Sequence, residues 1–180
     1  MPPMKCTVLT TLLAAFLLAA SATPAVATEV GYGRKLGIGF ILGDPTGVSA
    51  KYWIAPTNAL DFALGFGNYG AGFGPNCFND NTGRHCYGYF DTSINADYLW
   101  QSNIVRGSAQ LDWYIGAGGR LILFGGRGFN AAARAPIGLA LMFNNPSFLE
   151  VFFELVPAFY LVPPNWGLNI EGGLGVRAYF

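Results

Sequence analysis

The residues best suited to chemistry lie in one Gly/Asn-rich stretch, where Cys77 and Cys86 flank His85, the chain's only histidine. Two thiols and an imidazole could hold a metal, but no second histidine is available to complete such a site. The third cysteine, Cys6, lies in a segment that we expect to be removed. An even cysteine count in an exported chain favours a disulfide between Cys77 and Cys86, with the metal pair as the alternative.

Other motifs that could indicate catalysis or binding are not supported by the residues around them. Gly116-Ala117-Gly118-Gly119 is rich in glycine, but no Lys-Ser/Thr pair follows it and it lies in an alternating segment, so it does not predict a phosphate loop. The 10 basic and 10 acidic residues balance, and the basic residues form no cluster with aromatic residues. We therefore expect no cofactor and no nucleic-acid partner.

The first 27 residues have the pattern of a secretory signal peptide. Lys5 gives a basic start, Val8 to Ala20 an apolar core, and Ala25-Val26-Ala27 a cleavage site with small residues. The apolar core is too short for a comfortable membrane span of ~20 residues, although an uncleaved anchor is the alternative. We predict a signal peptide over 1–27 and one mature domain over 28–180.

The composition points to a surface in contact with lipid. Charged residues make up 11% of the chain, against about 25% in ordinary soluble domains, and aromatic residues reach 16%. The 25 glycines are poor helix formers, which favours strands over membrane-spanning helices.

Alternation of apolar and polar residues is the dominant pattern of the mature chain. In the last stretch, Glu171, Arg177 and Tyr179 fall on one face, whereas Leu174 and Phe180 fall on the other. A period of two predicts a strand with two chemically distinct faces. Eight segments show it: Lys35 to Leu42, Val48 to Ile54, Leu60 to Gly67, Phe90 to Trp100, Leu111 to Leu121, Ala135 to Phe143, Phe148 to Leu161 and Gly167 to Phe180.

Turn residues separate these segments, and we expect a long loop at Asn68 to Cys86 and further connections at Gln101 to Gly107 and Gly125 to Asn130. In the seventh segment a helix is the alternative, because Glu150 and Glu154 are also spaced as on one helix face.

The charged residues of these segments share the glycine-rich face, and we predict that they form a charge network in the lumen of a closed barrel. Either basic residue type on the lipid face would cost ~2–4 kcal/mol at mid-membrane. The predicted network is Lys35, Lys51, Asp61, Asp91, Asp97, Asp112, Arg120, Arg134, Glu150, Glu154, Glu171 and Arg177.

An all-β fold with a lipid-facing surface requires a closed ring of strands, because only helices and closed barrels pair every backbone group in lipid. We therefore predict an eight-stranded antiparallel up-and-down transmembrane β-barrel. Its interior would be filled by side chains, which argues against a wide pore. The alternative is a secreted, lipocalin-like carrier of a small apolar ligand, which needs the charges on the outside.

The last nine residues, Gly172 to Phe180, resemble the terminal assembly signal of small outer-membrane β-barrels of the OmpA type, which include relatives such as OmpX and OmpW. Tyr179 and Phe180 supply its aromatic end. The opening segment, Gly37 to Trp53, also resembles such barrels. The resemblance implies an outer-membrane location in a Gram-negative type of cell, contact with outer-membrane lipid and insertion by the barrel assembly machinery.

The expected function is a non-enzymatic structural or surface-interaction role, with an extracellular ligand that the sequence does not name. A narrow pore for ions or small solutes is the second candidate. An enzyme of the lipid-modifying barrel class would need His85 as its base, but no serine occupies a matching strand position.

Overall fold

The computed structural model describes residues 33–67, 76–80, 83–87, 91–107, 109–124, 128–162 and 167–180, and for residues 67, 76–80 and 83–87 it describes the backbone alone. The predicted signal peptide, 1–27, and the predicted start of the mature domain lie outside these residues. In the described part of the chain, no helix is both long and apolar enough to cross a membrane.

The described residues form eleven strands. Their bounds are β1 Leu36–Asp44, β2 Gly47–Ala55, β3 Asn58–Gly67, β4 Asn76–Asp80, β5 Gly83–Tyr87, β6 Asp91–Arg106, β7 Ala109–Phe124, β8 Gly128–Arg134, β9 Ile137–Phe143, β10 Leu149–Tyr160 and β11 Gly167–Tyr179.

Nine of these strands form one antiparallel sheet that closes on itself. The order around the ring is β1, β2, β3, β6, β7, then β8 with β9, then β10 and β11. The ring closes because β11 pairs with β1 over eight residues, from Gly37 opposite Tyr179 to Asp44 opposite Gly172. This ring has no free edge between β1 and β11, as closed barrels require. The predicted all-β antiparallel ring is confirmed. We call the end where β1 begins and β11 ends the terminal end, and the opposite end the hairpin end.

The strand count differs from the predicted eight, because β8 and β9 occupy one position in the ring. Both strands pair with β7 and with β10. The register with β7 continues from Arg134 opposite Gly118 to Ile137 opposite Ile115. Pro136 lies between them and has no N–H to donate, so it interrupts the ladder. Residues 128–134, partly predicted as a loop, are therefore strand.

Two further segments predicted as loops contain strands. β6 continues to Arg106 instead of ending near Trp100, and it pairs with β7 along this extension. Between β3 and β6, the strands β4 and β5 form a separate two-stranded sheet. The seventh predicted segment is strand β10, so the helix alternative there is wrong.

The alternation of the sequence is an alternation of burial in the structure. On β11, Glu171, Arg177 and Tyr179 are buried inside the ring, whereas Leu174 and Val176 are exposed on its outer surface. Large apolar residues are exposed in the same way on β1, β3 and β10. The outer surface of the ring is thus apolar and its interior is polar.

Charged residues are missing from the middle of this outer surface. Among the charged side chains that the structure describes, four are not buried: Arg34, Lys35, Asp44 and Arg106. The first two precede β1, and the other two are the last residues of β1 and β6. All four therefore lie at an end of the ring.

The β1–β11 seam depends on a glycine at position 39. A Cβ atom there would collide with the backbone of Val176 and Arg177 on β11. We expect Gly39→Ala to destabilise the ring by about 1–3 kcal/mol, because backbone atoms cannot move aside as a side-chain tip can. Urea unfolding followed by tryptophan fluorescence measures the effect.

Gly107→Ala is the matched control, because a Cβ at Gly107 would meet nothing within 4 Å. An equal loss of stability in both variants would show that close approach at the seam is not the cause.

Candidate functional site

The interior of the ring is the part of the molecule with the most unusual chemistry. Four basic and seven acidic side chains are buried in it, which we call the interior charge network. Its members are Lys51, Asp61, Asp91, Asp97, Asp112, Arg120, Arg134, Glu150, Glu154, Glu171 and Arg177. Seven of the eight positions around the ring supply these residues, and only β1 supplies none.

Lys35 does not belong to this network, although the sequence placed it there. Its side chain is exposed, because it lies one residue before β1 at the terminal end, where the ring opens. The alternation places Lys35 on the inward-facing side of the chain. Inward-facing residues are buried only where strands surround them, and Lys35 lies beyond the start of β1.

Near the terminal end, Glu150 is the centre of the network. Its carboxylate lies 3.4 Å from Lys51 Nζ and 3.0 Å from Arg177 Nη1, and Tyr179 Oη donates to it at 2.9 Å. Trp53 Nε1 in turn donates to Tyr179 Oη at 3.3 Å. Residues from β2, β10 and β11 thus meet across the interior, and both charged partners of Glu150 are buried with it.

Arg177, on β11, contacts residues on three other strands of the ring. Its Nη2 lies 2.6 Å from Asp61 on β3, and Nε and Nη2 both donate to Ser49 Oγ on β2, at 2.9 and 2.7 Å. Its guanidinium carbon lies 3.8 Å from the centre of the Phe152 ring on β10. This combination of a carboxylate, a hydroxyl and an aromatic face suits the planar guanidinium better than it would suit a lysine ammonium.

Lys51 is fully buried and is stabilised by neutral as well as charged groups. Its ammonium donates to Gln101 Oε1 at 2.5 Å and lies 4.7 Å and 5.4 Å from the ring centres of Trp53 and Tyr114. Gln101 Nε2 then donates to Asp112 at 2.8 Å, so one amide joins the base to a second acid. Cation–π contacts gain in strength when both groups are removed from water.

Asp112 is held by amides from β6 and β7. Besides Gln101, the side chains of Asn103 and Gln110 donate to its carboxylate at 2.8 and 2.9 Å. A carboxylate that accepts several N–H bonds can stay buried, because the donors replace the water it lost.

Towards the hairpin end, Arg120 and Arg134 form a second group. Arg120 contacts both Glu171 and Asp44. Arg134 Nε lies 3.2 Å from Asp97, and its terminal nitrogens lie 3.5 Å from Glu154 and 3.9 Å from Glu171. Tyr160 Oη also donates to Glu171, at 2.7 Å. Glu171 therefore receives contacts from both arginines, which makes this group continuous.

The acids and bases of the interior charge network are buried, and most of them contact one another. Within the described residues, no group of three or more His, Cys, Asp or Glu side chains could hold a metal ion. The contacts of the network join strands that are distant in the sequence.

The hairpin of β4 and β5 carries the other predicted site. Cys77 lies directly opposite Cys86 in the ladder, and Phe78 lies opposite His85. The structure describes only the backbone here, so the disulfide stays a prediction, as does the alternative metal pair.

Several partners of the network were not predicted to belong to it. Asp44 was placed in a turn and Gln101 in a loop, and the neutral residues Ser49, Tyr114 and Tyr179 were not assigned to it. Gln101 could have been found, because it continues the inward-facing series of Asp91, Asn95 and Asp97 at a spacing of two. Nothing in the alternation separates an inward tyrosine that bonds an acid from one that only fills space.

Removal of the Glu150 charge tests whether the network stabilises the ring. We expect Glu150→Gln to lower the free energy of unfolding by about 3–5 kcal/mol, because Lys51 loses its carboxylate partner while it stays buried. Lys51→Met combined with Glu150→Gln should recover part of this loss, since no uncompensated ammonium remains. Urea unfolding of the unchanged protein and of these two variants measures the change.

Lys35→Gln serves as the control, because it removes an exposed charge from the same end of the ring. The network would have no stabilising role if Lys35→Gln and Glu150→Gln lowered the unfolding midpoint equally.

Comparison with known proteins identifies no relative of this chain. No protein-family model, no curated protein and no solved structure matches the chain. The chemistry of the two faces of the ring is therefore the basis on which a function can be proposed.

Proposed function

We propose that the protein is an integral β-barrel of a Gram-negative type of outer membrane, exported through a cleaved signal peptide, with a non-enzymatic structural or surface-interaction role. A small OmpA-type barrel, with eight positions around the ring and a lumen filled by charged side chains, is the architecture we infer. Its partners would be outer-membrane lipid and the barrel assembly machinery.

The single observation that supports this proposal most is the reversed polarity of the two faces. Water-soluble sheet proteins bury their apolar face. This ring instead buries its charged side chains and exposes large apolar side chains on each of its nine strands. Contiguous exposed apolar surface of this extent is unfavourable in water. In lipid the same surface is favourable. The four charged side chains that the structure describes outside the interior lie at the ends of the ring, where polar headgroups would be.

Aromatic residues at the strand ends fit the two interfaces of a membrane. Trp100 and Phe180 are exposed at the terminal end, and Phe66 and Phe159 are exposed at the hairpin end. Aromatic girdles of this kind mark the boundaries of membrane barrels. Phe180 is also the residue whose resemblance to a terminal assembly signal implies insertion by dedicated machinery.

The interior supports a structural role over the alternatives. A lipocalin-like carrier needs an apolar cavity and outward charges, but Asp112, Glu171 and Arg177 are buried inside the ring. A pore needs an open path, but the interior charge network spans the lumen with direct contacts between strands that are not neighbours in the ring.

The hairpin with Cys77, His85 and Cys86 would be the main feature exposed to the outside of the cell.

Fractionation tests the membrane location directly. We expect the mature protein to be recovered with outer membranes, and its unheated form to migrate differently from its boiled form in gel electrophoresis with detergent. A closed ring resists detergent until it is heated, because all its strands are paired. Recovery from the soluble periplasm with identical migration of both forms would contradict the proposal.

An arginine on the outer face distinguishes lipid from water as the surrounding medium, in the same assay. Leu174, in the middle part of β11, is 54% exposed and lies between Leu42 and Phe153 on the neighbouring strands. We expect Leu174→Arg to cost about 2–4 kcal/mol in a membrane and to reduce the heat-modifiable fraction. In a water-soluble protein the same change would be nearly neutral.

Leu168→Arg is the matched control, because Leu168 is 73% exposed on the same strand but lies near its hairpin end. The cost of a charge falls to about 0–1 kcal/mol near the membrane interface. Equal behaviour of the two variants would argue that no hydrocarbon layer surrounds the ring.

Conductance measurements test the closed lumen. We expect the refolded protein to give no steady single-channel currents in a planar lipid bilayer, because buried side chains fill the interior. Detergent without protein, at the same dilution, gives the baseline. Stable current steps that appear only with the folded protein would favour the narrow pore instead.

A further inference from the structure

A cavity of about 340 Å³ opens at the terminal end of the ring, apart from the interior charge network. We call it the terminal cavity. Residues before β1, the end of β2 and the following turn form its wall: Gly33, Arg34, Lys35, Trp53, Ile54, Ala55 and Pro56. The volume is within the range of sites for small molecules or for part of a larger ligand. Two cations in an otherwise mostly apolar wall give it an amphipathic character.

The backbone places Arg34 at the border between the apolar outer surface and the end of the ring. Trp53 N–H donates to the Lys35 carbonyl at 2.9 Å, one residue beyond the pairing of Leu36 with Tyr52. Arg34 precedes Lys35 and lines the cavity together with Ile54, which is exposed on the outer face. The cavity thus joins a lipid-facing apolar position to a pair of cations.

The cations of the terminal cavity lack the partners that every basic residue of the interior charge network has. Nη1 of Arg34 is shielded from solvent, and no described residue accepts a hydrogen bond from it. Lys35 is exposed and makes no ion pair with any residue in the described ranges. A shielded guanidinium nitrogen without an acceptor is unfavourable, and the fork of an arginine matches the oxygens of a phosphate.

We propose that the terminal cavity binds the phosphate headgroup of an anionic phospholipid of the phosphatidylglycerol class, through Arg34 and Lys35. The acyl chains of this lipid would continue along the outer surface past Ile54. The inference rests on the proposed membrane location, because only there do acyl chains lie against this surface. An anionic headgroup is favoured over a zwitterionic one because the two positive charges are not balanced by a described carboxylate in the cavity wall.

Native mass spectrometry of the folded protein, released from micelles with equal amounts of phosphatidylglycerol and phosphatidylcholine, tests the inference. The heat-modifiable migration of each sample is checked first, so that a failure to form the barrel is recognised separately. We expect about a tenfold preference for phosphatidylglycerol in the first bound lipid, from two basic residues near the surface. The variant Arg34→Gln/Lys35→Gln should lose this preference.

Arg106→Gln is the matched control, because Arg106 is an exposed cation at the same end of the ring but does not line the cavity. It should retain the preference. Folded protein with no preference, or an equal loss in Arg34→Gln/Lys35→Gln and in Arg106→Gln, would overturn the inference and leave the proposed function intact. Displacement of the lipid by millimolar inorganic phosphate would also overturn it, because the cavity would then recognise a free anion.

Discussion

The placement of ions relative to a closed wall is the constraint on which the rest of this structure depends. Glu150 and Lys51 are fully buried, and an isolated charge at either position would be very unfavourable. Each is tolerated because strands that are distant in sequence bring partners to it. Those strands can do so only while the ring is closed between β1 and β11, which also pairs the backbone at both edges. Closure and charge pairing therefore depend on each other.

Because of this dependence, the buried side chains hold the strands of the ring together. Arg177 contacts groups on β2, β3 and β10, and Lys51 contacts groups on β6 and β10, so two side chains tie five of the ring's strands together. Such contacts fix the cross-section of the barrel and fill it. This interior is the basis of the structural role proposed above.

The two ends of the ring differ in whether their basic side chains are paired with acids. At the hairpin end, Arg120 is compensated by Glu171 and Asp44, and the chain continues into the hairpin with Cys77 and Cys86. At the terminal end, Arg34 and Lys35 lie beside an open cavity without a described acid in its wall. Because paired ions attract little and unpaired ions attract strongly, the terminal end is the better place for an anionic ligand, and the hairpin end for contacts through the loops.

The sequence alone determined the identity of the two faces, because an alternation with period two is a local property that fixes which side chains share a side. It predicted the antiparallel ring and placed Glu150, Arg177 and Asp112 on one face. Tertiary structure alone decided the pairing, since contacts such as Lys51 with Glu150 join residues 99 positions apart. It also decided that Lys35 lies at an open end, that Gln101 belongs to a longer β6, and that Pro136 divides one wall position into β8 and β9. These outcomes depend on strand length, register and the position of the rim, which arise only when neighbouring strands meet.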